Sequence, residues 1–258
     1  MSGPETDAIL PHPQRRLLCR VAGIDALTHD IRRVLLAIER GGPFVFSAGQ
    51  FASLGFDALP ARDYSMASRP GDRLLEFHIR RMGAGSVSAH VASRLRPGDP
   101  VSLEGPLGTA YLRDHHGGPI LAIAGGSGLA PIKSIVETAL ARMPARRVRL
   151  YFGARDERDL YLVEHFAALA ARHADFRFVP VLSEPRGKTT HRVGLVKEAA
   201  AEALAALAGA KAYLAGPPAM VEAASAALRG QGLAEADIHA DAFYSEAEKA
   251  ARAAAATS

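Results

Sequence analysis

Ala122-Ile123-Ala124-Gly125-Gly126-Ser127-Gly128-Leu129-Ala130-Pro131 is the stretch on which the reading of this chain turns. Residues 119–124 form a short apolar run of strand length. Residues 132–142 carry apolar side chains at 132, 135, 136, 139 and 140, the spacing of one helix face. The glycines therefore occupy a strand-to-helix turn, where backbone can come close to a ligand and helix-start N–H groups face negative charge. A dinucleotide pyrophosphate or a ribose fits there, and so does a tight structural turn. The dinucleotide fingerprint Gly-x-Gly-x-x-Gly begins at Gly126 and Gly128 but meets Pro131 at its third glycine. A Gly-x-Ser-x-Gly nucleophile elbow fails at Leu129.

Downstream, strand-like runs at 119–124, 147–152, 176–182 and 211–215 alternate with helix-like runs at 129–142, 159–172, 193–208 and 217–229. This alternation predicts βαβ units and a parallel sheet covered on both faces. A last short strand is expected at 237–240, and 245–258 reads as a frayed helix or disordered tail. In such sheets ligands bind outside the C-terminal strand ends, which singles out the turns at 125–128, 153–159 and 216–218.

Upstream the period changes. Between 16 and 113, short strand-like runs at 20–24, 31–38, 44–46, 51–56, 74–80 and 100–105 are punctuated by Gly and Pro. This pattern predicts an antiparallel barrel or sandwich, interrupted by one helix at 86–95. Residues 1–13 read as a flexible lead-in, and 114–119 as a linker whose adjacent His115 and His116 are expected to be solvated, with no metal. The expected layout is a β-barrel domain over 14–113 and an open α/β domain over 119–244.

The 258 residues carry a formal charge of +4, with arginines in scattered pairs such as 146–147, not in blocks interleaved with aromatics. Each pair is expected to be solvated, and nucleic acid is not an expected partner. The single cysteine, Cys19, excludes a disulfide framework and an iron–sulfur cluster held within this chain. No run of 18 apolar residues and no signal-peptide core occur, so no membrane span is expected and the expected compartment is the cytoplasm.

Two stretches of the first half carry chemistry. Arg62-Asp63-Tyr64-Ser65 opens a strand-like segment on which Arg62 and Tyr64 share a face: a fork of donors for phosphate beside a ring that can stack on a flat cofactor. A surface Arg-Asp pair beside a core tyrosine is the alternative. Gly83-Ala84-Gly85-Ser86-Val87-Ser88 precedes the 86–95 helix, where successive amides form an anion nest or Ser86 is an ordinary N-cap. Two phosphate-suited stretches on the barrel and a nucleotide-suited turn beyond it point to two nucleotides meeting at a domain interface.

Taken together, Arg62-x-Tyr64-Ser65, Gly85-x-x-Ser88, Gly105-Pro106-x-Gly108, Gly125-Gly126-Ser127-Gly128-x-x-Pro131, Tyr151-Phe152-Gly153-Ala154-Arg155 and Gly216-Pro217-Pro218-x-Met220 follow the order found in the ferredoxin–NADP reductase superfamily. From about residue 16 to 244 the chain resembles the reductase components of bacterial aromatic-ring oxygenases, of the naphthalene dioxygenase reductase type. The likeness includes the ending His239-Ala240-Asp241-Ala242-Phe243-Tyr244. The resemblance implies a Greek-key β-barrel that holds FAD and a Rossmann-like domain that holds NAD(P)H. Arg62 would meet the flavin phosphates, Tyr64 would pack on the isoalloxazine and Ser65 would hydrogen-bond near N5. Gly85 and the amides of Ser86, Val87 and Ser88 would bind the pyrophosphate. Gly126, Ser127 and Gly128 would hold NAD(P)H, with Gly216, Pro217 and Pro218 lining the nicotinamide pocket. Phe243 would shield the flavin face until nicotinamide displaces it.

Those roles agree with the chemistry. Hydride transfer requires nicotinamide C4 and flavin N5 about 3–3.5 Å apart, and the cofactors do the work once positioned, so no acid–base pair is needed. The implied activity is transfer of a hydride from NAD(P)H to flavin and of single electrons onward to a ferredoxin or an iron–sulfur oxygenase component. The sequence departs from relatives at Ala215, where many carry a cysteine, and in lacking the four-cysteine ferredoxin domain. Either the electrons leave for a separate iron–sulfur protein, or the chain is a fragment or stand-alone relative. Near Arg155, acids and arginines alternate through Asp159; the acids favour NADH, since an acidic residue can bind a ribose 2′-OH while arginine accepts a 2′-phosphate. A flavin or ferric reductase with a diffusible acceptor, and a nucleotide-binding regulatory module without turnover, are the alternatives.

Overall fold

The computed structural model describes residues 12–245 together with Glu248 and Ala251; residues 1–11 of the lead-in and most of the 245–258 tail lie outside the described residues. The first half forms β1 (Arg15–Ala26), β2 (Ile31–Arg40), β3 (Phe51–Phe56), β4 (Arg62–Ser65), β5 (Leu75–Arg80) and β6 (Pro100–Leu107). These strands make one antiparallel sheet in the order β4-β3-β6-β1-β2-β5. Its two edges meet where Met66 bridges Phe77 and the Ala67 N–H donates to the Glu76 carbonyl at 2.7 Å, so the sheet nearly closes on itself. Alternation fills the inside: Ala52, Leu54 and Phe56 of β3 point into the same core as Leu17, Cys19, Val21, Leu36 and Phe77. Burial and the nearby Glu39 charge push the Cys19 thiol up to about 11, which makes it an inert core residue. The helix α1 (Val87–Ser93) follows β5 and starts on Ser86, whose side chain accepts from the Ala89 N–H.

The second half runs β7 (Ile120–Gly125), α2 (Leu129–Arg142), β8 (Val148–Ala154), α3 (Val163–Arg172), β9 (Phe176–Leu182), β10 (Arg192–Val193), α4 (Val196–Leu204), β11 (Lys211–Gly216), α5 (Pro218–Gly230) and β12 (Ile238–Ala242). The sheet is parallel throughout, in the order β10-β9-β8-β7-β11-β12. One face packs with α2 and α3, and the other with α4 and α5. The chain starts in the middle at β7, builds outward through β8, β9 and β10, then returns to place β11 on the other side of β7. This order reversal leaves a crevice at the carboxyl ends of β7 and β11.

Several expectations are corrected. Residues 44–46 are not a strand; Phe44 and Phe46 stack on each other at 5.6 Å and Phe46 is buried under the barrel. The segment expected as helix from 159 is helical only from Val163, because Leu162 takes a left-handed φ of 56° and breaks the run. Val193 belongs to an edge strand paired with Leu182, and α4 begins three residues later. Arg146 is not solvated: it is buried and donates to the Gly118 and His116 carbonyls, holding the linker to the sheet. His116 is half-buried against the Pro119 carbonyl, while His115 is exposed.

Helix α2 shows how the two halves are held. Its apolar stripe faces the parallel sheet, yet Lys133, Ser134 and Thr138 are buried too, because the barrel covers the opposite face. Lys133 and Ser134 meet barrel partners. Ser134 Oγ donates to the Ser68 carbonyl at 2.7 Å, and Lys133 Nζ donates to the Ala67 carbonyl at 3.1 Å and to Glu76 Oε2 at 3.2 Å. Glu137, one turn along α2, also receives Lys133 at 3.4 Å. Burial disfavours the Glu76 charge, but the hydrogen bond from His78 and the Lys133 ammonium outweigh it and bring the carboxyl down to about 2.

The turn after β7 is fixed by close packing. A Cβ on Gly128 would collide with the Ala215 carbonyl, and one on Gly216, at φ 141°, would lie 2.7 Å from the Gly125 carbonyl oxygen. Backbone thus meets backbone where β7 and β11 end.

Two outcomes follow from these contacts. A carboxyl held below its ordinary value of 4.5 stabilises the fold above that pH and loses its contribution as pH falls toward 2. Glu76→Gln should therefore flatten acid unfolding monitored by circular dichroism between pH 5 and 2, and should cost about 3 kcal/mol in urea at pH 7. Gly128→Ala should cost about 1–3 kcal/mol in the same assay through overpacking, whereas Gly117→Ala, with open space around its Cβ position, should cost almost nothing.

Candidate functional site

The crevice predicted from strand order is a cleft of about 260 Å³ at the junction of the two halves. Its floor is bare backbone, Gly125 and Gly126 of the turn and Gly153 at the end of β8, with Pro217 and Met220 of the 216–220 segment as an apolar wall. Gly126 has φ 54°, and the nearest atom to its missing Cβ is Arg80 Nη1 at 3.5 Å. Gly128 lies buried under the turn, where its small size serves packing against β11. Ser127 is half-buried beside it.

Charge rings the rim from both halves. Arg80 of β5 donates to Asp30 at 2.8 Å, and Arg155 after β8 donates to Asp159 at 3.1 Å. His29 sits between them, 3.9 Å from Asp30 and 3.8 Å from Asp159, so the ring crosses from barrel to sheet. Burial opposes the Asp30 charge, but hydrogen bonds from Thr28 and Arg80 prevail and hold the carboxyl below the usual range. Guanidinium groups above exposed backbone suit a ligand carrying phosphates and hydroxyls.

On the barrel, β4 presents Arg62 and Tyr64 half-exposed on one face and Ser65 buried on the other. Arg62 Nη1 rests on the Ala61 carbonyl at 2.9 Å. The Tyr64 ring packs edge-on to Phe56 at 6.3 Å, and burial pushes its hydroxyl up to about 12, so the ring stays neutral. Gly85 has φ 78° with nothing near its Cβ position. Ser86 Oγ and Ser88 Oγ lie 3.0 Å apart, and Ser88 Oγ accepts the Met82 N–H at 3.0 Å, which fixes the loop shape. As the first residues of α1, Val87 and Ser88 offer N–H groups with no intrahelical acceptor.

The two surfaces converge at the C-terminal strand. Ser65 Oγ donates to Asp241 Oδ2 at 3.3 Å, across 176 residues of chain. The Phe243 N–H donates to the Gly216 carbonyl at 2.9 Å, and the Phe243 side chain packs against the core shared by the halves. Asp241 also lines a small groove of about 160 Å³ with Gly49, Phe51 and Gly108. A flat, anionic ligand fits the barrel donors: a guanidinium, helix-start amides, a neutral ring and the hydroxyl of Ser65. FAD has that chemistry, and NAD(P)H has the chemistry of the cleft.

Arg62, Tyr64 and Ser65 stay on the barrel, Gly85 to Ser88 lie at the start of α1, and Gly126, Arg155 and Pro217 share the cleft. Pro218 opens α5 beside the cleft, and Gly216 ends β11. Sequence reasoning missed Asp30, Arg80 and Asp241. Each is polar in a strand or turn where a solvated face is the ordinary outcome, and only tertiary contact aims it inward. Among the described residues, no cluster of three or more His, Cys, Asp or Glu side chains is placed to hold a metal ion. No described helix is long and apolar enough to cross a membrane.

Known proteins match this arrangement. Residues 18–111 match the oxidoreductase FAD-binding domain family, and residues 122–226 match the oxidoreductase NAD-binding domain family. The chain is 43% identical over 241 residues to the ferredoxin–NAD(P)+ reductase component of the naphthalene 1,2-dioxygenase system of Pseudomonas putida, covering 93% of this chain and 73% of that protein. It is 45% identical over 241 residues, with the same coverage, to the corresponding reductase component of the naphthalene 1,2-dioxygenase/salicylate 5-hydroxylase systems of a Ralstonia species. The crystal structure of the Amycolatopsis cytochrome P450 reductase GcoB superposes with a TM-score of 0.84 at 39% identity, over 90% of this chain and 71% of that one. With both domain families in this order and these identities across most of its length, the chain belongs to the ferredoxin–NADP reductase superfamily of FAD- and NAD-binding reductases.

Proposed function

We propose that this chain is the flavoprotein reductase of a multicomponent oxygenase system: it oxidises NAD(P)H, stores the electron pair on FAD and releases the electrons singly to a separate iron–sulfur protein. One NAD(P)H yields NAD(P)+, one proton and two electrons, which two one-electron acceptors take up. Bound FAD supplies the hydride acceptor and the change from paired to single electrons. The protein's part is placement. Arg62 and the amides at Ser86, Val87 and Ser88, with Gly85 leaving room, hold the flavin phosphates; Tyr64 gives a neutral face for its ring. Gly126, Ser127 and Gly128 form the nucleotide turn, and Gly216, Pro217 and Pro218 bound the nicotinamide side. Ser65 offers a hydroxyl proton, with Asp241 as its acceptor in the structure, and Phe243 covers the ring face before nucleotide arrives.

The observation that carries this reading is the junction itself. Ser65 of β4 bonds Asp241 of β12, and Phe243 bonds Gly216. The strand with the arginine and the ring thereby meets the glycine turns of the other half at one place. The names of the Pseudomonas and Ralstonia relatives support the acceptor class, since each is a ferredoxin–NAD(P)+ reductase component of a dioxygenase system. On this reading the protein works in the cytoplasm. NADH is the preferred donor on this reading. Asp30 and Asp159 stand at the cleft rim, Asp159 already holds Arg155, and a 2′-phosphate would meet that negative charge.

Anaerobic stopped-flow mixing of the FAD-loaded protein with NADH, and separately with NADPH, tests the reading. Flavin absorbance should bleach with both and at lower concentration with NADH, and reoxidation should follow addition of a ferredoxin. Absence of bleaching with either nucleotide would sink it; bleaching followed by reoxidation only by free flavin or ferric chelates would move the acceptor to a small molecule. Arg62→Ala should raise the FAD dissociation constant about tenfold or more, read by fluorescence of released flavin, as expected for loss of a charge-assisted phosphate contact.

A further inference from the structure

Tyr161 lies between the Glu157–Asp159 turn and α3, outside every motif of the nucleotide site, yet it is almost fully buried. Its hydroxyl is 3.1 Å from the Gly126 carbonyl oxygen, in the nucleotide turn, and 3.2 Å from His78 Nδ1, on β5 of the barrel. Its ring packs edge-on to both His78, at 5.4 Å, and Phe152 of β8, at 5.5 Å. The next residue, Leu162, is one of two described non-glycine residues with positive φ, so the backbone is strained beside the residue it turns inward.

The hydrogen placement is constrained by charge. Glu76 Oε1 is 2.8 Å from His78 Nε2, and Glu76 is ionised at neutral pH. Burial holds the His78 imidazole below its ordinary value although Glu76 pulls the other way, and the Lys133 and Arg33 charges add to the lowering. A neutral ring has one N–H, which the carboxylate takes at Nε2, so Nδ1 is an acceptor. Burial, with the Glu76 and Asp30 charges, keeps the Tyr161 hydroxyl protonated. One hydroxyl proton therefore serves two acceptors, one in each half of the molecule. Beyond His78 the chain of contacts runs through Glu76 to Lys133 and Glu137 of α2, and ends at His165 of α3, 2.6 Å from Glu137.

We propose that Tyr161 and His78 form a positioning pair that sets the distance between the nucleotide turn at Gly126 and the flavin-side strand β5. This proposal rests on the reductase reading above. The pair touches neither cofactor site through its own side chains in a binding role; it acts through the Gly126 carbonyl. The nucleotide's contacts to the α/β half move together with the turn, so loosening the pair leaves affinity nearly intact. What changes is the approach of the nicotinamide to the flavin, and a small misplacement there costs rate steeply.

The test compares FAD-loaded wild type, Tyr161→Phe, His78→Asn and the double variant. Four quantities are measured: bound flavin per chain, melting temperature, the calorimetric dissociation constant for NAD+, and the limiting rate of anaerobic bleaching at saturating NADH. The long-wavelength absorbance of the nicotinamide–flavin contact is recorded in parallel. For Tyr161→Phe the expected result is wild-type flavin content, an NAD+ constant changed by less than about threefold, a limiting rate lower by about tenfold or more, and a weaker long-wavelength band. His78→Asn should show the same split, and the double variant should be little worse than either single one, because the two side chains share one interaction. Unchanged limiting rate and band in Tyr161→Phe would overturn the proposal. So would a fall in melting temperature or flavin content with the rate per bound flavin intact, which is what a purely structural tyrosine gives, and so would additive losses in the double variant. If Tyr161→Phe does not fold, His78→Asn decides by the same criteria. Wild type that neither nucleotide bleaches overturns the reductase reading and the positioning pair together; wild type that bleaches normally leaves that reading standing whatever Tyr161→Phe does.

Discussion

A buried ammonium group governs how this molecule is assembled. Lys133 lies on a helix that packs against the parallel sheet with one face and against the barrel with the other. A charge in that position is tolerated only with partners close by, and Glu76, Glu137 and the Ala67 carbonyl supply them at 3.1–3.4 Å. Two of these partners come from the barrel. The helix that begins at the glycine turn after β7 is thus tied by charge, and not only by apolar packing, to the domain that would carry the flavin.

That tie matters because hydride transfer is a problem of distance. Two nucleotide sites on separate sheets can perform it only if the sheets keep a fixed spacing. Here the spacing is held at three levels. The Ala48, Leu112 and Ile31 side chains of the barrel share one apolar core with β7, α2 and β8. The Lys133 and Ser134 contacts set orientation. The ring of Asp30, Arg80, His29, Asp159 and Arg155 closes the rim of the cleft from both sides. Apolar burial provides most of the adhesion, being non-directional, while the polar contacts choose one arrangement among those that would bury similar area.

The glycines divide into two kinds under this view. Gly128 and Gly216 are small because backbone from β11 and β7 would otherwise collide. Gly126 and Gly85 have positive φ and little or nothing close to the missing side chain, which leaves room for something other than protein. The same residue type in one motif therefore serves packing at one position and ligand approach at another, and a sequence pattern cannot separate the two.

The sequence by itself determined the architecture. The switch from short Gly- and Pro-punctuated strands to alternating strands and helices after 119 marks the change from barrel to α/β half, because hydrophobic period is a local property written directly in the chain. Helix α2 falls on 129–142 as its spacing predicts, and the six motifs in register gave the family. What only the tertiary structure decided is which polar residues turn inward. Lys133, Glu76, His78, Arg146 and Asp241 are ordinary surface residues by any local rule, and residues 44–46 and 159–162 have the composition of regular elements they do not form. The fates of these polar residues depend on partners 28 to 176 residues away, such as Gly118 for Arg146 and Ser65 for Asp241, and contacts across that separation exist only once the chain has folded.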